Sequence, residues 1–422
     1  MRCLPTSRNP SGVLLSALFF LAAHAGAQTL NTLYTFAGDT AQYGGVVIGK
    51  GGVLYGNAGD AAFSLSPPAA PGGAWTESTI YTSTEYSTEA GLVIGKGGVL
   101  YGTLFLGGTH RAGAVFSLTP PKSSGGAWTQ RTLYSFQGSK EGDGYKLYSG
   151  VVVGPGGVLY GTTWQGGTSA ACNPEPGCGT VFALTPPASA GEKWTETILH
   201  SFTGPPNDGS YPYAGVVVGS NGVVYGTTYD GGANNTGTVY SLTPPSSPGG
   251  EWTEAVLYSF SYPGGIEGSD SFGGVVIGSG GVLYGATGSG GANSACFDGC
   301  GTVYSLTPPA SPGGAWAESV LYSFAGGTDG WNPQASLAIG SGGVLYGSTL
   351  GGGNPYGGTI FSLTPPASSG DPWTWTLLAS LNGDGGDGYE PSGLVLDSSG
   401  NLYGTTYDGG PGGGGTVFQL VP

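Results

Sequence analysis

Beyond residue 27 the apolar residues fall in short runs separated by glycine, proline and polar turns, and no long stretch repeats at helical spacing. A segment such as "GVVIGSGGVLYG" at Gly274–Gly285 sets β-branched and aromatic residues between glycines, the mark of strands bounded by tight turns. Four kinds of run follow one another in constant order: one like "GVVIG", one like "VLYGTT", one like "GTVFSLTPP" and one like "WTEAVLYSF". They are named here strands A, B, C and D. The Tyr-Gly pair of B recurs at Tyr55, Tyr101, Tyr160, Tyr225, Tyr284, Tyr346 and Tyr403, so "VVYGTTYDGG" at Val223–Gly232 returns as "NLYGTTYDGG" at Asn401–Gly410. Seven units of four short strands predict an all-β chain forming a single seven-bladed β-propeller over residues 28–422.

Spacing between the runs assigns a role to each end of the blade. From the first apolar residue of A to the B tyrosine is nine residues in all seven units, and from the second proline after C to the tryptophan before D is seven in all six cases. The B–C connection varies instead, the B tyrosine and the C aromatic standing 8, 15, 22, 15, 20, 15 and 15 residues apart, and the D–A connection varies as well. Alternate turns of an antiparallel meander lie at opposite ends. Both variable connections therefore share one face, where a rigid β-scaffold carries its function. The chain opens on a lone D-type strand, "NTLYTF" at Asn31–Phe36, and closes on a C-type strand, "TVFQLVP". The expected closure is the N-terminal strand completing the last blade; an alternative phase, with D as the first strand of each blade, needs no such latch.

Composition adds a compartment and a charge. Arg2 and Arg8, the apolar stretch Val13–Ala23 and the small residues of "AHAGAQ" read as a signal peptide over residues 1–27, with cleavage after Ala27 or, alternatively, Ala25. That stretch is too short to span a bilayer, which takes about 20 helical residues. The expectation is a secreted, extracellular or periplasmic monomer without a membrane span. Losing the two arginines takes the net charge from −15 to −17, and from Thr195 onward there are 16 acidic residues and no lysine or arginine. Phosphate backbones are repelled by such a surface, which excludes nucleic acid and leaves cations or basic partners as compatible ligands.

Four cysteines follow the leader. Cys172 and Cys178 flank "NPEPG", Cys296 and Cys300 flank "FDG", and the spacing predicts two local disulfides in the two longest B–C connections, with a zinc site as the rival reading. His200 replaces the tyrosine of "LYSF" and reads as a packing aromatic, whereas His110 lies alone on a variable loop. No G-x-S-x-G elbow accompanies them. Seven or eight residues before each A strand stands an acid: Asp39, Glu85, Asp143, Asp208, Glu267, Asp329 and Asp387. Each either holds its own turn by accepting backbone N–H groups or joins a ring around the axis that binds a hard cation, Ca²⁺ above all. Asp384 and Glu390 make "NGDGGDGYE" the densest acidic loop. Phe105, Trp164, Tyr229 and Tyr407 extend from strand B into the same face, suited to stacking on sugars or partner side chains, or to packing under a neighbouring loop.

The unit resembles the GloVer tandem repeat of bacterial extracellular proteins, carried by segments such as "DGSYPYAGVVVGSNGVVYGTTYDGGANNTGTVYSLTPP" and covering Leu33–Pro422. The resemblance implies a secreted propeller and brings no reaction or catalytic residues. Members often carry a C-terminal sorting anchor, whereas this sequence ends on a strand at Pro422, and its first unit has lost seven residues of the B–C loop. The expected function is non-catalytic binding of a glycan or an extracellular protein, with Ca²⁺ as an aid. The alternative is an extracellular polysaccharide lyase or hydrolase using the carboxylates and tyrosines of the loop face. An acid in every unit and no unique base favours binding.

Overall fold

A computed structural model describes residues 28–421 except 39–43, 85–89, 124, 139–141, 173–175, 190, 248, 262–265, 312, 355, 369 and 384–385; the leader, Asp39, Glu85 and Asp384 thus lie outside the described residues. Six blades are four-stranded antiparallel sheets in the order A–B–C–D, and the seventh runs Val395–Leu396, Leu402–Asp408, Gly413–Val421 and then Thr29–Ala37. The N-terminal strand pairs with the last one from Thr29↔Val421 to Ala37↔Gly413. The closure is the expected latch, and the alternative phase is ruled out by the sheet order.

The repeated residues each have a packing task. The glycine after the B tyrosine makes room for the aromatic ring of strand C: a Cβ on Gly56 would stand 2.7 Å from Phe63 Cζ, and one on Gly161 2.6 Å from Phe182 Cζ. The tyrosine reaches the next blade, where it meets the tryptophan that precedes strand D edge-on: Tyr55 with Trp128 at 5.7 Å, Tyr101 with Trp194 at 6.1 Å, Tyr284 with Trp373 at 5.8 Å. The Tyr-Gly pair is therefore scaffold, linking the constant end of one blade to its neighbour.

The two threonines of "YGTT" divide the remaining work. The first ties blades together by donating to the carbonyl just before the next A strand: Thr103 to Ser149 O, Thr162 to Ala214 O, Thr227 to Gly273 O and Thr405 to Gly44 O, at 2.9–3.0 Å. The second bonds across its own blade to the threonine that opens strand C, as in Thr163–Thr180 and Thr228–Thr238, both 2.8 Å. Blade 5 writes Ala286 at the first position, and there Ser271 Oγ donates to Gly273 O and Ala286 O instead. Replacing Thr162 by valine keeps the shape and removes a buried donor from Ala214 O. That substitution is expected to cost about 1–2 kcal/mol, read as a lowered midpoint in thermal or denaturant unfolding; an unchanged midpoint would deny the clamp its weight.

Around the axis the residue before each A strand is glycine in six blades: Gly45, Gly91, Gly150, Gly215, Gly274 and Gly393. A Cβ on Gly150 would lie 2.7 Å from Gly91 O, and one on Gly45 2.6 Å from Gly393 O, so the central backbones pack against one another directly. In blade 6 the position is Ser336, whose Oγ accepts the Gly274 N–H at 3.0 Å. Gly91, Gly150, Gly215, Ser336 and Gly393 line the central opening.

Candidate functional site

The D–A loops reach the axis through a shared backbone device. Lys146, Tyr211, Asp270, Asn332 and Glu390 occupy the same loop position in five successive blades, and all are left-handed, with φ between 57 and 61°. Non-glycine residues take that conformation at a cost of about 1 kcal/mol, so it persists where neighbours hold it. Here two neighbours do. The Tyr211 N–H donates to Cys178 O at 2.8 Å while Tyr211 O accepts from Tyr229 N at 3.1 Å; Asn332 does the same with Cys300 O and Leu350 N, at 2.9 and 3.0 Å. Lys146 is held likewise by Ala112 O and Trp164 N, so Lys146, Tyr211 and Asn332 each bridge the B–C loops of two blades. The side chain at this position is free to differ, and the five are a lysine, a tyrosine, an aspartate, an asparagine and a glutamate.

Two residues further on, Tyr148, Tyr213, Phe272, Gln334 and Ser392 line a central funnel of about 580 Å³, together with Leu350, Tyr407 and Glu390. The aromatics form a continuous arc over blades 2 to 5. Tyr148 stacks on Tyr213 at 4.7 Å and meets Phe105 at 4.6 Å and Trp164 at 5.2 Å; Tyr213 meets Phe272 at 5.4 Å, which meets Tyr229 at 4.8 Å. Lys146 Nζ lies 5.0 Å from the Trp164 ring. Phe105, Trp164 and Tyr229 are half-buried and lie behind the funnel lining, against Tyr148 and Phe272. Tyr407 faces the funnel from the far side. A smaller hollow of about 230 Å³ shares Leu350 and Glu390 with the funnel and runs out past Trp331 and Tyr356, which are 37% and 74% exposed.

The acids divide into two groups. Those before the A strands turn back into their own blades. Asp143 accepts from Tyr134 OH, Gln137 N and Gly144 N at 3.0, 2.8 and 2.6 Å; Asp329 accepts from Tyr322 OH and Ala325 N at 3.0 and 2.8 Å. Glu267 accepts from Ser261 Oγ, and Asp387 engages Asn382 and Thr416 through its backbone. None of the four lines the funnel. Among the described acids, Asp143, Asp208, Glu267 and Asp329 turn carboxylate oxygens to donors of their own loops, the role of holding a turn that the sequence also allowed.

A second group lies on the loop face itself. Asp230 is pushed up to about 6 by burial and by Asp270, and Asp270 is raised by burial although Ser289 opposes the shift. Burial and Asp408 raise Glu390, while Tyr389 OH donates to Asp408 Oδ2 at 2.9 Å. Asp230 and Asp408 are the aspartates of the twice-written "YDGG", which thus ends in an acid coupled to a neighbouring loop.

Both cystines form, Cys172–Cys178 and Cys296–Cys300. The zinc reading of these cysteines is accordingly set aside. Tyr211 OH donates to Cys172 O at 3.2 Å, tying the first cystine loop to the D–A loop that feeds the funnel, while Phe297 stands 95% exposed at the tip of the second. His110 is exposed, its Nδ1 3.1 Å from Thr109 Oγ1. His200 is more than a packing ring. Its Nε2 lies 3.0 Å from Asp208 Oδ2, and its ligand atoms converge with those of Asp208 and Glu254.

Of the funnel residues, Tyr148, Tyr213, Phe272 and Gln334 escaped the sequence reading. The available signal was the alignment of "DGYKLYSG", "DGSYPYAG", "EGSDSFGG" and "DGWNPQAS", in which the sixth residue, at a fixed distance from the leading acid-glycine pair, is aromatic in three segments and glutamine in the fourth.

Comparison with solved structures finds propellers. The chain is similar to virginiamycin B lyase from Staphylococcus aureus, with 16% identity, a TM-score of 0.52 and coverage of 94% of this chain and 99% of that one. It is also similar to the extracellular domain of a protein assigned as a hybrid two component system from B. thetaiotaomicron, with 11% identity, a TM-score of 0.51, and coverage of 92% of this chain and 39% of that one. At these identities the likeness is one of fold. No curated protein sequence matches the chain. A family model described as the Gloeobacter/Verrucomicrobia repeat matches residues 171–312 and 293–422, more than half of the chain. With the repeat seen in both sequence and blades, the chain belongs to the Gloeobacter/Verrucomicrobia repeat family.

Proposed function

We propose that the protein is an extracellular binding propeller that takes a glycan into the funnel of its loop face without transforming it. The observation that carries this reading is the aromatic run Tyr148–Tyr213–Phe272 lining the funnel, backed by Phe105 and Tyr229 behind it, in a funnel that also offers Gln334, Ser392 and Glu390. Flat rings spaced along a curved wall suit successive sugar faces, and the few polar groups at the rim suit hydroxyl recognition. The channel past Trp331 and Tyr356 gives a longer chain a way out. The two cystines and the repeat family support an extracellular setting.

One observation favours the catalytic alternative. Asp230, raised to about 6 next to Asp270 and Tyr229, has the character of a general acid. Calorimetric titration with soluble neutral and acidic polysaccharides, followed by analysis of chain length, separates the two readings. Binding without shortening is expected, with Tyr148→Ala and Tyr213→Ala each weakening affinity about tenfold, the equivalent of one ring contact. Shortened chains whose formation stops in Asp230→Asn would establish the enzyme instead. Absence of any polysaccharide binding would remove the glycan reading.

A further inference from the structure

The junction of blades 3 and 4 differs chemically from its counterparts. At the junctions of blades 2 and 3 and of blades 4 and 5 the tyrosine of "LYSF" meets the acid that starts its own D–A loop, and the glutamate of "WTE" approaches from the next blade's D strand. So Tyr134 lies with Asp143 and Glu196, and Tyr258 with Glu267 and Glu318. The junction of blades 5 and 6 has Tyr322 and Asp329 but replaces the glutamate by Trp375, which stacks on Tyr322 at 5.5 Å. Only between blades 3 and 4 is the tyrosine replaced by a histidine.

That exchange changes what the junction can bind. A phenol offers its acidic neighbours a proton; an imidazole offers a nitrogen lone pair. His200, Asp208 and Glu254 each present a ligand atom, all within 4.8 Å of one another. Donors around a four-coordinate Zn²⁺ lie about 2.0–2.2 Å from the ion, so the three need to adjust by little more than an ångström to share one. Asp208 is already anchored by Thr203 N and Gly209 N, at 2.8 and 2.6 Å. Glu254 Oε1 is fully buried without a hydrogen-bond partner, as are Glu196 Oε1 and Glu318 Oε1 at the tyrosine junctions, but among the described residues only Glu254 has an imidazole nitrogen converging with it; the hydroxyl of Tyr240, a fully buried residue nearby, is also unpartnered. A buried carboxylate oxygen that lacks a donor and stands beside an imidazole nitrogen has the right chemistry for a cation. The pocket is reachable, with His200 20% and Asp208 9% exposed at the side chain.

We propose that His200, Asp208 and Glu254 form a site for a divalent transition ion, with water completing the shell. One nitrogen and two carboxylate oxygens select a borderline ion such as Zn²⁺ over Ca²⁺, which takes six to eight oxygens. Asp208 opens the loop that presents Tyr211 and Tyr213, so the ion would pin blade 3 to blade 4 beneath the aromatic arc. The inference is independent of any glycan, since it concerns the outer part of the blade junction.

The repeat itself supplies the controls. Tyrosine is the native residue at the His200 position in blades 1, 2, 4, 5 and 7, and glutamine stands at the Glu254 position in blade 2 as Gln130. His200→Tyr and Glu254→Gln should therefore fold. Titrating Zn²⁺ into the metal-stripped full-length protein is expected to show one equivalent bound and a raised melting temperature, with affinity at least tenfold weaker in both variants. Equal Zn²⁺ binding by wild type and His200→Tyr would place the metal elsewhere and overturn the proposal, as would the absence of saturable binding by wild type.

Discussion

A protein lacking residues 28–38 is expected to lose its cooperative melt or to melt more than about 10 °C below the full-length chain. Among the described residues, Thr29–Ala37 is the strand that joins the two ends of the propeller, pairing along Gly413–Val421. Without it those residues become a long open edge, the arrangement that invites pairing with other molecules. The core between blades 7 and 1 is opened as well. Phe36 is 8% exposed and meets Phe63 at 5.0 Å, in a cluster that includes Val46, Leu54, Leu65, Tyr403 and Val417. A milder probe keeps the strand and removes the ring. Phe36→Ala is expected to cost about 3–5 kcal/mol, the usual range for emptying a buried aromatic site. In a chain of this length that corresponds to roughly 5 °C, taking the common unfolding entropy per residue. Scanning calorimetry reads both, and sedimentation shows whether the shortened protein pairs through its exposed edge. A shortened protein that melts with the full-length chain would mean that the latch contributes nothing to closure.

Stability is expected to fall as pH rises from 5 to 8. Glu196, Glu254 and Glu318 are each raised to about 7, first by burial and then by a neighbouring acid: Asp143, Asp208 and Glu267 respectively. Unfolded, a glutamate titrates near 4.3. Between that value and 7 the folded state holds more protons than the unfolded one, so the contribution is complete below the unfolded value and is lost as pH climbs through 7. Because these groups remain partly open to solvent, screening cuts each to on the order of 1 kcal/mol. Together they move the midpoint by roughly 4 °C for a chain of this size. Asp208 opposes the trend only at lower pH. Burial works against its charge, but the His200 contact and the Thr203 and Gly209 N–H groups prevail and hold it below the usual carboxylate range. Thermal melts across this window in low salt provide the measurement. The double variant Glu196→Gln, Glu318→Gln should flatten most of the slope, and an equally steep slope in that variant would locate the titration elsewhere.

The legible part of the fold was its geometry. Constant A–B and C–D spacings correctly separated a rigid face from a variable one, because a turn that packs against the neighbouring blade tolerates no insertion. The tyrosine, the glycine and the tryptophan recur for the same reason: each fills or vacates a volume defined by blade-to-blade distance, as Tyr55, Gly56 and Trp128 do. Less was legible in the loops. Recurrence of Asp143, Asp208 and Asp329 is equally compatible with a ring and with seven separate turns, and one-dimensional spacing cannot say which way a carboxylate points. His200 read as a substituted aromatic because its partner Glu254 comes from another blade, 54 residues away in the chain.

The sequence by itself determined the number of blades, the order of strands in the repeat and the face that varies; it pointed to closure by the N-terminal strand and to two local cystines, which the sheet order and the S–S pairs then decided. All of these follow from covalent spacing and from side-chain volumes repeated in register. Only the tertiary structure decided which loop residues meet. Tyr148 and Tyr213 belong to different blades and stack at 4.7 Å, and Lys146, Tyr211, Asp270, Asn332 and Glu390 come into line by a left-handed backbone, held from both sides at Lys146, Tyr211 and Asn332. Contacts of that kind arise from the curvature of the whole ring, a property that no single repeat possesses.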